Sequence, residues 1–240
     1  MNLEGKTFAV TGGASGIGRA TVATLCEARA TVFFGDINEE GGAETASQVG
    51  KGANFVPLDI TSDESIANFA GTAMEAGQVD GVVNVAGWDI IQPFIEQEPN
   101  FWDKVVKINL MGPVKFARAF LDPMIERNDG KIISVSSDAG RVGSMGETMY
   151  AGAKGGIIAF SKSLAREVAR YRIMSTAFAP ARPTHRCSTH SRNACAKHLP
   201  APSPSAAWPN LRKSPMRYCS SPATCLLYTS DAADEGLGVD

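Results

Sequence analysis

Residues 6–18 limit the possible folds more than any other part of this chain. A short apolar run, residues 6–10, passes directly into Thr11-Gly12-Gly13-Ala14-Ser15-Gly16-Ile17-Gly18. Helical spacing follows (Ala20, Val22, Ala23, Leu25), and a second apolar run, residues 30–35, ends at Asp36. Strand, glycine turn, helix, strand and terminal acid make a βαβ unit of the mononucleotide-binding kind. Gly12, Gly16 and Gly18 let the backbone approach a pyrophosphate. Ser15, Gly16 and Ile17 sit at the positive N-terminus of the helix, where such a group is held. Asp36, eighteen residues past Gly18, is placed to accept hydrogen bonds from both ribose hydroxyls. A carboxylate there repels a 2′-phosphate, and neither the turn nor Ile37 brings a compensating cation. The expected cofactor is therefore NAD rather than NADP.

The alternation continues down the chain. Residues 54–58 read as a strand ending at Asp59-Ile60, and Ser62 or Asp63 can cap a helix running to about residue 76. Residues 79–85 form a buried strand ending in Asn84-Val85-Ala86-Gly87, and a long helix covers roughly residues 100–127 with Asn109 in its middle. A fifth strand, 131–136, precedes a helix over 149–171. Strands alternating with long helices imply an α/β fold, a doubly wound parallel sheet covered on both faces. Ligands of such sheets bind beyond the carboxyl ends of the strands. Gly12, Asp36, Asp59, Asn84 and Ser137 are thus expected on one rim. No apolar run reaches the ~20 residues of a membrane span, and the first residues carry no signal-peptide pattern. A net charge of −2 gives no reason to expect nucleic acid as the main partner. The cytoplasm is the default location.

The chemistry-bearing stretch is residues 136–154, SSDAGRVGSMGETMYAGAK. Tyr150 and Lys154 are four apart at the start of an apolar-periodic run, so phenol and ammonium share a helix face. A nearby ammonium favours the phenolate, drawing a tyrosine pKa of about 10 towards working pH. Such a phenol exchanges a proton with an alcohol or carbonyl oxygen. Ser137, thirteen residues earlier and just past a strand, can hydrogen-bond the same oxygen. A Y-x-x-x-K spacing alone is common by chance; the βαβ unit beside it gives it weight.

Residues 1–173 resemble the short-chain dehydrogenase/reductase family. TGGASGIG matches that family's T-G-x-x-x-G-x-G turn, and Asn84, Ala86 and Gly87 match its N-N-A-G, with Val85 departing from the second asparagine. Asn109, Ser137, Tyr150 and Lys154 match its catalytic tetrad at the expected spacing. The resemblance implies that Tyr150 is the general acid/base, and that Lys154 tunes it and holds the nicotinamide ribose. It implies that Ser137 orients the substrate oxygen, and that Asn109 breaks its helix locally to hold a relay water. The implied cofactor-binding set is Gly12, Ser15, Gly16, Ile17, Gly18, Asp36, Asp59, Ile60, Asn84, Ala86, Gly87, Tyr150 and Lys154, with no metal. For the Val85 departure, a small effect on sheet hydrogen bonding is expected.

AGWDIIQPFIEQEPNFW and the stretch from Ser137 to Glu167 together resemble 2-hydroxycyclohexanecarboxyl-CoA dehydrogenase-like members, which are close to 3-oxoacyl-carrier-protein reductases. These imply a small-molecule alcohol or ketone, or an acyl thioester, as substrate. Trp88, Ile91, Phe94 and Met145 are candidates for an apolar pocket wall, and Arg141 for a phosphate or carboxylate contact. Surface packing explains each at least as well, and none is assigned as a site. The resemblance also implies a homotetramer, formed through the helices carrying Asn109 and Tyr150 and a second interface near the C-terminus. The rival reading is a dinucleotide-binding module without catalysis.

Beyond residue 173 the composition breaks. Residues 174–230 contain no Asp or Glu but all three histidines, eight of the thirteen prolines and four of the five cysteines. The family would continue with a sixth strand, a Pro-Gly turn, a substrate-covering segment and a seventh strand; none is expected here. Codons permitted for residues 174–188 can be read two bases further on as VNCVCPGPTDTPLF, and those for 206–224 as RRLAQPEEIADAVLFFASD. Both are what such a family member carries, and one missing base after the codon for Ile173 accounts for both. Residues 225–235, CLLYTSDAADE, resemble the translation of a transposon-type sequencing adapter. The domains are accordingly an incomplete catalytic Rossmann domain (1–173), an out-of-frame tail (174–224) and an adapter translation (225–240). Cys187 with His190 and Cys195 with His198 have zinc-ligand spacing, which out-of-frame translation explains better than a metal site.

Overall fold

The computed structural model describes residues 2–180. Six strands, β1 (Thr7–Thr11), β2 (Thr31–Asp36), β3 (Ala53–Pro57), β4 (Gly81–Asn84), β5 (Gly130–Val135) and β6 (Ile173–Phe178), form one sheet in the order β3-β2-β1-β4-β5-β6. Every neighbouring pair is parallel. Helices α1 (Gly16–Glu27), α2 (Glu39–Val49), α3 (Asp63–Glu75), α4 (Pro99–Val106), α5 (Gly112–Arg127), α6 (Ala139–Val142) and α7 (Thr148–Val168) fill the connections. The strand order reverses between β1 and β4, which places the ligand crevice above their carboxyl ends.

Strand periodicity distributes the core to two faces. Ala9, Phe33, Val82 and Ile132 point to one side, where they meet Phe69, Phe116, Phe120 and Met124 from α3 and α5. Phe8, Val10, Val32, Phe34 and Val83 point to the other and meet Val22 of α1. Side chains such as Phe34, Phe69, Phe116 and Ile132 are wholly buried, each worth about 1.5–3 kcal/mol on transfer from water. Helix starts are fixed locally. The Asn38 side chain accepts from the Gly41 N–H at 3.0 Å and Ser62 from the Ser65 N–H at 3.2 Å. Glu39, Glu40, Asp63 and Glu64 in the first turns complement the helix dipoles.

The long helix over 100–127 is two α-helices joined by a π-helical turn, Lys107–Met111, which contains Asn109 and is the local break the resemblance implied. One expectation is corrected. A sixth strand, expected to be missing, is present. Residues 173–178 pair along β5 from Gly130↔Ile173 to Val135↔Phe178, so the Rossmann unit extends past residue 173. Its physical basis is that β5 would otherwise expose a row of unpaired backbone groups. A parallel ladder recognises amides rather than side chains; of the residues turned inward, Ile173 packs into the apolar core and Ser175 is small enough to bury. Residues 181–240, with the cysteine–histidine pairs and the adapter-like segment, lie outside the described residues. Among the described residues, no helix is long and apolar enough to cross a membrane, and no three His, Cys, Asp or Glu gather as metal ligands.

Candidate active site

The glycine turn follows directly from β1. Gly12 and Gly13 donate to the Gly35 carbonyl at 2.8 and 3.1 Å, tying the turn to β2. Gly12 has φ +75°, and a Cβ there would lie 2.8 Å from the Ala86 backbone. The turn and the β4 loop therefore approach more closely than any side chain permits. A Cβ on Gly18 would fall 1.8 Å from the Gly12 carbonyl oxygen, which is how α1 packs so tightly on β1. Gly16, φ +51°, faces open space. Ser15 occupies the N-cap position of α1 without a side-chain capping bond, and Ser15, Gly16 and Ile17 are exposed. This is an open helix N-terminus with donors available to an anion.

At the end of β2, the half-buried Asp36 carboxylate accepts from the Ala14 N–H at 3.1 Å and the Asn38 N–H at 3.0 Å. It is held upright at the crevice edge by the turn itself. Asp59, past β3, accepts from both the Thr61 N–H and hydroxyl at 2.8 and 2.7 Å. Ile60 turns its side chain into the core beneath Gly112, so only its backbone is available to a ligand.

The β4 end is held from within. The Thr11 hydroxyl accepts from both the Val85 and Ala86 N–H groups at 3.1 Å. The Val85 side chain packs against the apolar core on the α1 face. Asn84 is buried, and its amide donates to the Pro113 carbonyl and the Ser134 hydroxyl at 3.3 Å each. These bonds brace the end of β4, while Asn84 Oδ1 is buried without a hydrogen-bond partner among the described residues.

Two of the four expected catalytic residues, Asn109 and Lys154, meet at Gly87. A Cβ on Gly87 would lie 3.0 Å from Asn109 Oδ1 and 3.4 Å from Lys154 Nζ, so both groups border one small space. Fully buried Asn109 donates to the Trp88 carbonyl (2.6 Å) and the Val105 carbonyl (3.0 Å), and accepts from the Trp88 N–H (3.1 Å). Asn109 lies within the π turn, and its bond to the Val105 carbonyl spans four residues. In that turn the Gly112 N–H reaches the Lys107 carbonyl, five residues back.

Lys154 Nζ donates to the Val135 carbonyl at 2.9 Å and sits 5.6 Å from the Tyr150 ring centroid. Only 3% of Lys154 is exposed, and burial pushes its ammonium down to about 8. Ser136 donates to the Lys154 carbonyl at 2.8 Å, while Gly140 and Gly155 let α6 and α7 touch backbone to backbone. Ser137, the fourth residue, stands at the end of β5. Its hydroxyl accepts from the Ala139 N–H at 3.2 Å and fixes the start of α6.

Two loops flank this rim, joined by the Gln92 N–H on the Gly146 carbonyl at 3.0 Å. They expose Ile90, Ile91, Phe94, Ile95, Val142 and Met145. Trp88 packs on Phe101 under the Lys104 ammonium, Phe94 stacks on Trp102, and Arg141 pairs with Asp138. Burial pushes the Asp89 carboxyl up; the Ile90 N–H opposes that shift and the charge of Glu147 adds to it.

The sequence reading missed Thr11, Ser136 and Arg19. The first two lie at strand ends beside motif residues, which was their only signal. Arg19 had only its position directly after Gly18.

A parallel sheet whose strand order reverses under a glycine turn defines a doubly wound nucleotide-binding protein. The family model for short chain dehydrogenases matches residues 6–192. The chain is 38% identical over 182 residues to a 3-oxoacyl-[acyl-carrier-protein] reductase of Vibrio harveyi, covering 75% of this chain and 74% of that one. It is 39% identical over 180 residues to an acetoacetyl-CoA reductase of Synechocystis sp., covering 75% and 72%. The crystal structure of a short-chain dehydrogenase from Streptomyces avermitilis superimposes with a TM-score of 0.70 at 30% identity, covering 73% of this chain and 65% of that chain. The chain belongs to the short-chain dehydrogenase family, oxidoreductases that act on CH–OH groups.

Proposed function

We propose that this protein transfers a hydride between the carbinol carbon of a β-hydroxyacyl thioester and NAD. The observation that carries the chemistry is the convergence of Asn109 Oδ1 and Lys154 Nζ on Gly87, with Tyr150 one turn before the lysine. The site fits a dinucleotide: the Gly12–Ala86 approach is a cradle that a Cβ would fill, and the α1 N-terminus is open. Gly12, Ser15, Gly16, Ile17 and Gly18 would hold the pyrophosphate and Asp36 the adenosine ribose. Asp59, the Ile60 backbone, Ala86 and Gly87 would border the remainder. Bound NAD supplies the acceptor for the carbon-bound hydrogen and its electron pair.

The protein's own residues manage the oxygen. Ser137 orients the substrate hydroxyl, and Tyr150 as phenolate takes its proton while the carbonyl forms. Lys154 lies close enough to favour the anionic form of an oxygen beside it. Asn109 holds the Trp88 backbone and the π turn in place, which keeps this space open and supports a relay water.

Asp36 supports NAD over NADP: both its oxygens are fixed by backbone N–H groups, and a carboxylate at this strand end would repel a 2′-phosphate. The apolar loops 88–97 and 142–146 suit the acyl portion of the substrate, an alicyclic acyl group included. The names of the two curated relatives support a thioester. A 3-oxoacyl-carrier-protein reductase-like activity, running in the reductive direction, is the second reading they favour.

Assaying the full chain with NAD and NADP against cyclic and linear β-hydroxyacyl-CoA, alongside Tyr150→Phe and Asp36→Ala, tests the proposal. Tyr150→Phe is expected to lose on the order of 10²–10⁴-fold in kcat with cofactor binding retained. Asp36→Ala is expected to raise kcat/KM for NADP relative to NAD. Cofactor binding without turnover by any form, the frame-restored chain included, would instead identify a binding module. The same reading makes the protein a cytoplasmic homotetramer, which sedimentation analysis tests for oligomeric state. Residues 174–224 we take to be out-of-frame and 225–240 adapter-derived.

A further inference from the structure

The geometry points to Arg19 as a positioning residue for the dinucleotide: it grips the Ala14 carbonyl and so sets the backbone donors of the glycine turn. This inference rests on the dinucleotide reading above. Arg19 lies in the first turn of α1, directly after Gly18. Its Nε and Nη2 donate to the Ala14 carbonyl oxygen at 3.1 and 2.7 Å. Nη2 also meets Glu44 of α2 at 3.2 Å, and the other Glu44 oxygen accepts from the Gln48 amide at 2.8 Å. The Thr45 hydroxyl makes a longer contact, 3.4 Å, to the same Ala14 carbonyl.

Ala14 is 2% exposed and is tethered at both ends. Its N–H holds the Asp36 carboxylate at 3.1 Å while its carbonyl is held by the guanidinium fork. The Ala14–Ser15 peptide is trans and planar, so fixing its oxygen towards Arg19 and α2 turns the Ser15 N–H the opposite way. That N–H is the first donor of the open α1 terminus. One side chain thus acts on both recognition elements, the collar that positions Asp36 and the donors for the pyrophosphate. The charge of Arg19 is committed to Ala14 and Glu44, so it does not offset the repulsion of Asp36 towards a 2′-phosphate.

An exposed Arg–Glu pair between two helices contributes little by itself. The fork on a buried carbonyl is the part with consequence, because a charge-assisted bidentate contact is both stronger and geometrically specific. Lysine can supply a single point donor there but not the fork.

The test is titration of the full chain with NADH, followed by fluorescence, for the parent protein, Arg19→Met, Arg19→Lys and Glu44→Gln. Melting curves are recorded alongside to establish that each is folded at the titration temperature. Arg19→Met is expected to raise the NADH Kd roughly tenfold or more, and Arg19→Lys to recover part of that loss. Glu44→Gln is expected to shift it less, in the same direction. A folded Arg19→Met with unchanged Kd, whatever its melting temperature, overturns the inference and leaves Arg19 a packing residue. Should Arg19→Met not fold, unchanged Kd in both Arg19→Lys and Glu44→Gln overturns it equally. Parent protein that binds no NADH overturns the dinucleotide reading itself, an outcome distinct from a parent that binds and variants that match it.

Discussion

Lys154 is buried where an ordinary lysine would be expelled, and the penalty is readable as a pH dependence. Burial pushes its ammonium from 10.5 down to about 8. Between those values the unfolded chain keeps a proton that the folded chain has released, so stability rises with pH across that window. The change amounts to about 3 kcal/mol; below pH 8 the folded state carries the full penalty. Lys154→Met is expected to flatten that rise and to melt higher than the parent at pH 7, while losing turnover. Urea unfolding at several pH values between 7 and 10 measures it, and an unchanged slope in the variant would contradict the assignment. Asp80, at the opposite end of the sheet, behaves inversely. Burial pushes its carboxyl up, but the Lys6 ammonium, the Thr7 N–H and the Gln78 amide outweigh it and hold the group below the usual carboxylate range. Its contribution is present above about pH 4 and is lost as pH falls through the folded value. Asp80→Asn should therefore narrow the stability gap between pH 6 and pH 3 in acid titrations followed by circular dichroism.

At the scale of the element, α1 is seated by one absent side chain. A Cβ on Gly18 would fall 1.8 Å from the Gly12 carbonyl oxygen, a backbone atom with no freedom to rotate away. Gly18→Ala is expected to push α1 off β1, lowering the melting temperature and abolishing NADH binding together. Retained binding with normal stability would show that the contact is softer than the geometry indicates. The glycine turn, Asp36 and the Tyr150–Lys154 pair were legible in the sequence from their spacing, whereas Asn109 was marked only by the family resemblance. Helix α2 was not: EEGGAETASQV has two glycines and little apolar character. It forms because Asn38 caps it and because Gly42 leaves room for the Phe55 ring, which a Cβ would meet at 2.1 Å. The π turn was legible only through the family resemblance, since residues 100–127 taken alone read as one long helix. Thr11, Ser136 and Arg19 act on main-chain atoms of other elements, and such bonds leave no sequence pattern. The sixth strand was misread because its composition was judged without the unpaired edge of β5 that it satisfies.

For the molecule as a whole, β1 to β6 form one continuous parallel sheet, with helices filling the connections. In the proposed frame reading, one base restored after the codon for Ile173 returns the Pro-Gly turn, the substrate-covering segment and the last strand. The restored chain is expected to turn over β-hydroxyacyl-CoA with NAD far faster than the chain as written; equal specific activities would refute the frame reading's functional consequence. The β6 ladder carries a wider implication for how such genes change. Edge pairing is negotiated through amides, whereas β1 and β4 must also satisfy Thr11, Asn84 and the Gly12–Ala86 approach. A recombination breakpoint within the codons of the outer strand leaves a sheet of the same width, while the same breakpoint within β1 or β4 destroys the crevice. Natural chimaeras of this lineage should accordingly carry their junctions at the margin of the sheet, where new sequence is admitted on its backbone alone.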